Sequence, residues 1–425
     1  MPARHGALPM ERERQRVRPE SRKNVMSAIE SRPPAIATSE VVVALLPLMA
    51  VVLVVFLITG IAMPVLPLHV HQGLGLGTFV VGLVSGSQFA AALVSRIWSG
   101  HFADSRGSKH AVMVGLVAAA ASGLLYMLSL RFTASPATSV SILLAGRALL
   151  GGAESFIITG ALSWGLALVA TQNAGKVIAW IGTALYAAFA VGAPAGGALY
   201  ARYGFMAIAI ATTLVPLVGL LLILPLRGVA PIRRPQPPLS TVLSAIMVPG
   251  IGLAFSSIGF GAITTFITLL FVGQGWTPAW LGLSAFAAAF MATRIVFGHL
   301  PDRMGGARIA LVSVLIEAAG QALIWLAPWS GLALAGAVLS GFGYALVYPG
   351  LGLEAVHRVP AQSRGLAMGA YTACLDLALG IASPLLGLIA GGAGLRAVFL
   401  ASAVTVLGAA VVAARLIQAP PRSNA

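Results

Sequence analysis

Charge is scarce in this sequence. Only 9% of its 425 residues are Asp, Glu, Lys or Arg, where a soluble domain carries roughly 25%. A surface so poor in charge does not face water, so soluble enzymes and nucleic-acid-binding domains are excluded as classes. Acids are scarcer still: there are eleven, and five of them fall in the first 40 residues. The single cysteine, Cys374, lies in an apolar run, so no internal disulfide can form and the redox compartment stays open. No G-x-x-x-x-G-K-[ST] loop and no H-E-x-x-H pair occurs, so ATP-driven transport and zinc hydrolysis lack their signatures. No clustered catalytic set is present, and neither enzyme activity, a cofactor nor a metal is expected.

What the chain has instead is apolar length. Hydrophobic residues make up 58%, and the mean hydropathy is +0.94. A bilayer core of about 30 Å takes roughly 20 apolar residues per helical span. Runs long enough occur near 41–68, 79–100, 111–130, 139–168, 177–199 and 205–226, and again near 241–272, 279–300, 308–327, 331–354, 366–390 and 395–418. Of the 49 glycines 33 sit within these runs, with nine of the 25 prolines, and membrane helices tolerate both. Twelve transmembrane helices are predicted in an all-α membrane protein.

The net charge of +15 does not imply nucleic acid, because of where the charge lies. The two termini and one set of loops hold twenty Lys and Arg, while the opposite loops hold only Arg131, Arg202 and Arg396. Positive loops stay cytoplasmic, so both termini and the basic, Pro-rich stretch 227–240 are predicted to be cytoplasmic. The resulting division is a disordered basic tail (1–40), six helices (41–226), a linker (227–240), six helices (241–418) and a short tail (419–425). A start at Met10 or Met26 would shorten the first tail. The stretch has no secretory-signal pattern.

The halves repeat. SRIWSGHFAD at 95–104 matches TRIVFGHLPD at 293–302 with an offset of 198, pairing Arg96 with Arg294, Gly100 with Gly298 and Asp104 with Asp302. LAGRALLGGAESFIITG at 144–160 matches LAGAVLSGFGYALVYPG at 334–350 with an offset of 190, which also aligns Gly175 with Gly365 and Pro194 with Pro384. Charged and proline positions recurring at two fixed offsets imply two parallel six-helix halves.

On these residues the chain resembles the major facilitator superfamily over 41–418. The family's loop motif G-x-x-x-D-R-x-G-R-[KR] stands here as Gly100, Asp104, Arg106, Gly107 and Lys109, with Ser105 and Ser108 replacing two arginines. The second copy keeps Gly298, Asp302, Arg303 and Gly305. Arg147 and Gly151 resemble the R-x-x-q-G pattern of proton-coupled efflux members, with Leu150 for the glutamine. Gly192, Pro194, Gly196 and Gly197 resemble the antiporter pattern G-P-x-x-G-G, with the proline displaced by one. The likeness extends to the YhhS-type, arabinose-efflux-like permeases. It implies a fold of two pseudo-symmetric six-helix bundles and a gating role for the loop motif.

A carboxylate at Asp104 or Asp302 can accept from a neighbouring helix N-terminus and pair with a basic side chain, contacts expected while the cytoplasmic side is closed. Arg96 and Arg294, one turn inside, either snorkel to the interface or pair with an acid, Glu354 being the candidate for Arg294. Glu154, Glu317 and Asp376 lie within spans, where ionisable groups are costly and by default functional. Glu154 follows Arg147 by seven residues, about 10 Å along one helix face. There desolvation and a guanidinium pull a carboxylate in opposite directions, so Glu154 or Asp376 would exchange a proton as solute comes and goes. Glu317, on a peripheral span, reads as structural. Tyr344, Tyr348, Tyr186 and Gln88 are candidates for a cavity lining, and His69 and His71 for the periplasmic interface. The sequence therefore points to proton-coupled efflux of a small organic solute, such as a sugar or an amphipathic compound, by a monomer in the bacterial inner membrane. An importer or uniporter of the same fold, or a transport-inactive sensor, is the alternative. Small solute, protons and lipid are the expected partners.

Overall fold

A computed structural model describes residues 38–169, 174–229, 239–360 and 363–418, and among these all regular structure is helical. Most of the expected N-terminal tail, most of the linker and the C-terminal tail lie outside the described residues. The chain divides at Val43, and the unit that carries the rest of the helices begins at Ala44.

The long helices are α1 (Thr38–Ala62), α2 (Thr78–Arg106), α3 (Ser108–Ser129), α4 (Pro136–Leu168), α5 (Ala174–Ile223), α6 (Leu239–Gly273), α7 (Leu281–Phe297), α8 (Gly306–Leu326), α9 (Ser330–His357), α10 (Arg364–Ala393) and α11 (Leu395–Gln418). Among the described residues, ten helices are long and apolar enough to cross a bilayer, and α7 is a shorter apolar one of 17 residues. α5 counts twice. At 1.5 Å per residue its 50 residues would reach about 75 Å, well beyond a hydrocarbon core of about 30 Å. Gly204, at φ 69° and ψ −168°, breaks it into two spans. Twelve spans result, with the expected loop between the fifth and sixth reduced to one glycine.

The two motif loops are built alike. Gly107 and Gly305, 198 residues apart, take φ 95° and φ 94°, a region only glycine enters freely. Each donates its N–H to the carbonyl four residues back, on Ala103 or Pro301. They differ in the approach. α2 runs unbroken to Arg106, whereas α7 stops at Phe297 and a separate turn, Leu300–Met304, follows. Pro301 holds the place of Ala103, and without an N–H it cannot continue a helix.

At the end away from these loops one apolar core joins both sets of six helices. It includes Val65 and Val70 beyond α1, Phe205 of α5, Phe266 of α6, Leu283 of α7 and Leu386 of α10. Towards the motif loops the cores separate. Val242, Val314, Val347 and Leu416 cluster among the C-terminal helices, and Ile58, Ala119 and Leu150 among the N-terminal ones.

Two seams show the same division. α2 and α10 are zipped from Thr78, whose hydroxyl donates to the Gly387 carbonyl at 2.7 Å, past Gly82 against Ser383 and Pro384. A Cβ on Gly86 would stand 2.8 Å from the Gly380 carbonyl, so small residues allow this approach. Beyond Arg96 and Asp376 the contact ends, and Gly100, Gly365 and Gly369 face open space. In the second seam Gly197 of α5 packs on Trp280, just before α7, and Tyr186 packs on Phe290 with ring centres 4.3 Å apart. Gly182, one turn further, is open. The halves are closed away from the motif loops and parted on the side that bears them.

Candidate functional site

Glu154 sits in the middle of α4, 9% exposed. Thr59 of α1 donates its hydroxyl to one carboxyl oxygen, and Gln88 of α2 donates Nε2 to the other at 2.6 Å. Gly151 permits this, because a Cβ there would collide with the Gln88 carbonyl. Three helices therefore converge on one carboxyl group. Arg147 is likewise buried, and among the described residues it makes one long donor contact, Nη1 to the Tyr126 hydroxyl at 3.4 Å. Its Nε is enclosed without an acceptor, and Gln88 Oε1 without a donor, among the described residues. Arg147 and Glu154 share the interior, as their spacing suggests, but they do not form an ion pair. Glu154 is close enough to feel the charges of both Arg147 and Asp376.

The second carboxylate lies on the seam. Arg96 of α2 donates Nε to Asp376 Oδ2 of α10 at 2.8 Å, and Nη2 bonds the same oxygen. The snorkelling alternative for Arg96 is thereby replaced by a bond across the halves. In the other seam Arg294 of α7 lies over the rings of Tyr186 and Phe290, 5.2 Å and 5.9 Å from their centres. The pairing alternative for Arg294, with Glu354, does not form: Glu354 pairs with Arg358, one turn on and just past α9, at 3.0 Å, and accepts the Ala307 N–H at 3.2 Å. Arg294 reaches only the Ala345 carbonyl, at 3.5 Å.

The partners follow the repeat as the arginines do. The offset of 190 that aligns Pro194 with Pro384 also aligns Tyr186 with Asp376. Arg96 with Asp376 and Arg294 with Tyr186 are therefore the same contact made twice, once with a carboxylate and once with a phenol ring. Between them stands Tyr348, whose hydroxyl shares a 2.8 Å hydrogen bond with Thr372 and lies within electrostatic reach of Arg96, Arg294 and Asp376. Tyr344 is more remote. It is buried, stacked on Phe260 at 5.1 Å, with its hydroxyl 3.4 Å from that of Ser257.

In the motif loops Asp104, Asp302 and Arg303 are exposed and make no hydrogen bond or ion pair among the described residues. Arg106 lies over Phe102. Lys109 does not pair with an acid; its Nζ donates to the Leu224 and Leu226 carbonyls at 2.8 Å and 2.7 Å, capping the end of α5. At the start of α8 it is Glu354 that accepts a backbone N–H, that of Ala307. His69 is buried and stacked on Phe205 with ring centres 3.9 Å apart, whereas His71 is exposed with its Nδ1 2.8 Å from the Leu76 carbonyl oxygen. Glu317 is fully enclosed and accepts the Ser256 hydroxyl, with one oxygen left over.

Residues 48–305 and 250–425 match the Major Facilitator Superfamily. The chain belongs to that family. It is 40% identical over 380 residues to an uncharacterised MFS-type transporter of Salmonella typhimurium, covering 89% of this chain and 98% of that one. Among solved structures it is similar to the D-xylose–proton symporter, with a TM-score of 0.72 at 13% identity, covering 89% of this chain and 98% of the other. It is also similar to the xylose transporter XylE from E. coli in its inward-open conformation, with a TM-score of 0.74 at 12% identity, covering 90% and 97%. At these identities the two structures share the fold. The protein is thus a multi-pass membrane transporter of this superfamily.

Proposed function

We propose that this transporter exports a small organic solute in exchange for protons. It would stand as a monomer in the bacterial inner membrane, with the motif loops and both termini cytoplasmic. The observation that carries the reading is the pair of membrane-embedded carboxylates: Asp376 is bonded by Arg96 across the seam between halves, and Glu154 lies within electrostatic reach of Asp376. A buried charge without compensation costs several kcal/mol, so proton uptake at Asp376 and opening of the seam that Arg96 bridges would be coupled energetically.

In the parted state solute would enter past Gly182, Gly365 and Gly369. Rocking of the six-helix bundles would then close Gly100 on its neighbours, bring Asp104 to a helix end and unzip Thr78 from Gly387. Resemblance to the YhhS-type branch supports a small polar or amphipathic solute. The test is a panel of radiolabelled sugars and amphipathic compounds in everted vesicles with an acid interior. Accumulation that collapses with the pH gradient and in Glu154→Gln supports the reading. Counterflow that survives both would instead mark a uniporter.

A further inference from the structure

The repeat leaves one arginine without the charge its mate holds. Arg96 has a carboxylate; Arg294, at the same place in the other seam, has Tyr186. Two rings whose centres are 4.3 Å apart lie to one side of it, and among the described residues its one hydrogen bond is to a carbonyl 3.5 Å away. A guanidinium offers five donors in a plane, so most of that edge is unused. Arg147, the third basic group inside the spans, also lacks an ion pair among the described residues. Three guanidiniums thus face two carboxylates, Glu154 and Asp376. The remaining intramembrane acid, Glu317, is turned away, enclosed by α6, α8 and α11 through Ser256 and the linked Gln321 and Ser402.

We infer that the solute supplies the missing charge: the site binds an organic carboxylate, seated on Arg294 between the seams. The carboxylate takes the in-plane edge of the guanidinium, where two parallel N–H donors fit its two oxygens. Tyr348, beside both arginines and hydrogen-bonded to Thr372, offers a further hydroxyl. The body of the anion points to the parted side, where Gly182 and Gly369 leave room. The inference rests on the parted seam being the solute path, and not on proton coupling.

Benzoate is the probe and benzamide, its uncharged counterpart, the control. Thermal unfolding of the purified protein is followed in detergent, without any gradient, at matched ionic strength. Benzoate should raise the melting temperature saturably and benzamide should not. Arg294→Gln should weaken the apparent affinity by about tenfold or more, the loss of a charge-assisted pair, with Arg294→Lys between the two. Tyr186→Asp, which installs the partner that Arg96 already has, should abolish the benzoate effect, while Tyr186→Phe keeps it. This second pair carries the test if Arg294→Gln fails to fold. Equal shifts with benzoate and benzamide, no shift at all, or a benzoate response unchanged in Arg294→Gln or Tyr186→Asp would overturn the inference. Benzoate binding in a protein whose transport ignores protons would refute the coupling alone. Proton-coupled transport in a protein indifferent to benzoate would refute the anion site alone.

Discussion

Arg96 holds Asp376 across the α2–α10 seam through two nitrogens on one oxygen, at the point where the zipped part of the seam gives way to the parted one. The Asp376 side chain is 5% exposed and that of Arg96 21%, so the pair is only partly screened. Removing either partner leaves the other poorly compensated, at a cost of about 1–3 kcal/mol for a site that is not fully buried. Asp376→Asn and Arg96→Gln should each lower the melting temperature, and the double variant should lose less than their sum. Strict additivity in that cycle would show that the two do not interact.

The parted side makes Gly100 cheap to replace and the zipped side makes Gly82 expensive. A Cβ on Gly100 meets nothing within 4 Å, whereas one on Gly82 runs into the Ser383 carbonyl and Pro384. Gly100→Leu should leave the melting temperature nearly unchanged yet block transport, because the motif side can no longer close. Gly82→Leu should open the other end, raising labelling of a cysteine that replaces Thr78 in a Cys374→Ala background. Full transport in Gly100→Leu would contradict a rocking cycle.

Gly107 and Gly305 impose a backbone reason for conservation of type within the repeat. Alanine at either would be held near φ 95°, a strain of about 1–3 kcal/mol. Both substitutions should lower thermal stability by similar amounts. Gly182→Ala, with open space and no such backbone, should lower it far less. Unequal effects at Gly107 and Gly305 would mean that the loops are not structural equivalents.

Gln88→Leu takes one of two donors from Glu154. A hydrogen bond to an ionised group contributes about 1.5–3 kcal/mol, so solute exchange should fall by about ten- to a hundredfold. Thr59→Val should act in the same direction. Both should be read against binding of the solute, which a merely unfolded protein would also lose.

The span count, the repeat and the buried acids were legible in the sequence because each is a one-dimensional signal: apolar length, a fixed offset, a charge inside an apolar run. Partners were not. Asp376 lies 280 positions from Arg96, and nothing local marks that distance. Glu354 looked available to Arg294 until the i,i+4 contact with Arg358 claimed it. Thr59, Tyr126 and Thr372, which complete the network, are uncharged and of common types, and only their positions in space single them out. One clue was present unread, the alignment of Tyr186 with Asp376 at the same offset as the prolines. Lys109 shows the opposite failure: a motif residue read as charge turned out to cap carbonyls.

Proton release on solute binding tests the exchange directly. Purified protein in weakly buffered solution is mixed with a transported solute, and a pH indicator is read. Protons should appear in the medium as the wild-type protein binds, and the signal should vanish in Glu154→Gln, Asp376→Asn while solute binding persists. Binding without proton release in the wild type, or undiminished release in the double variant, would contradict exchange at these two carboxylates.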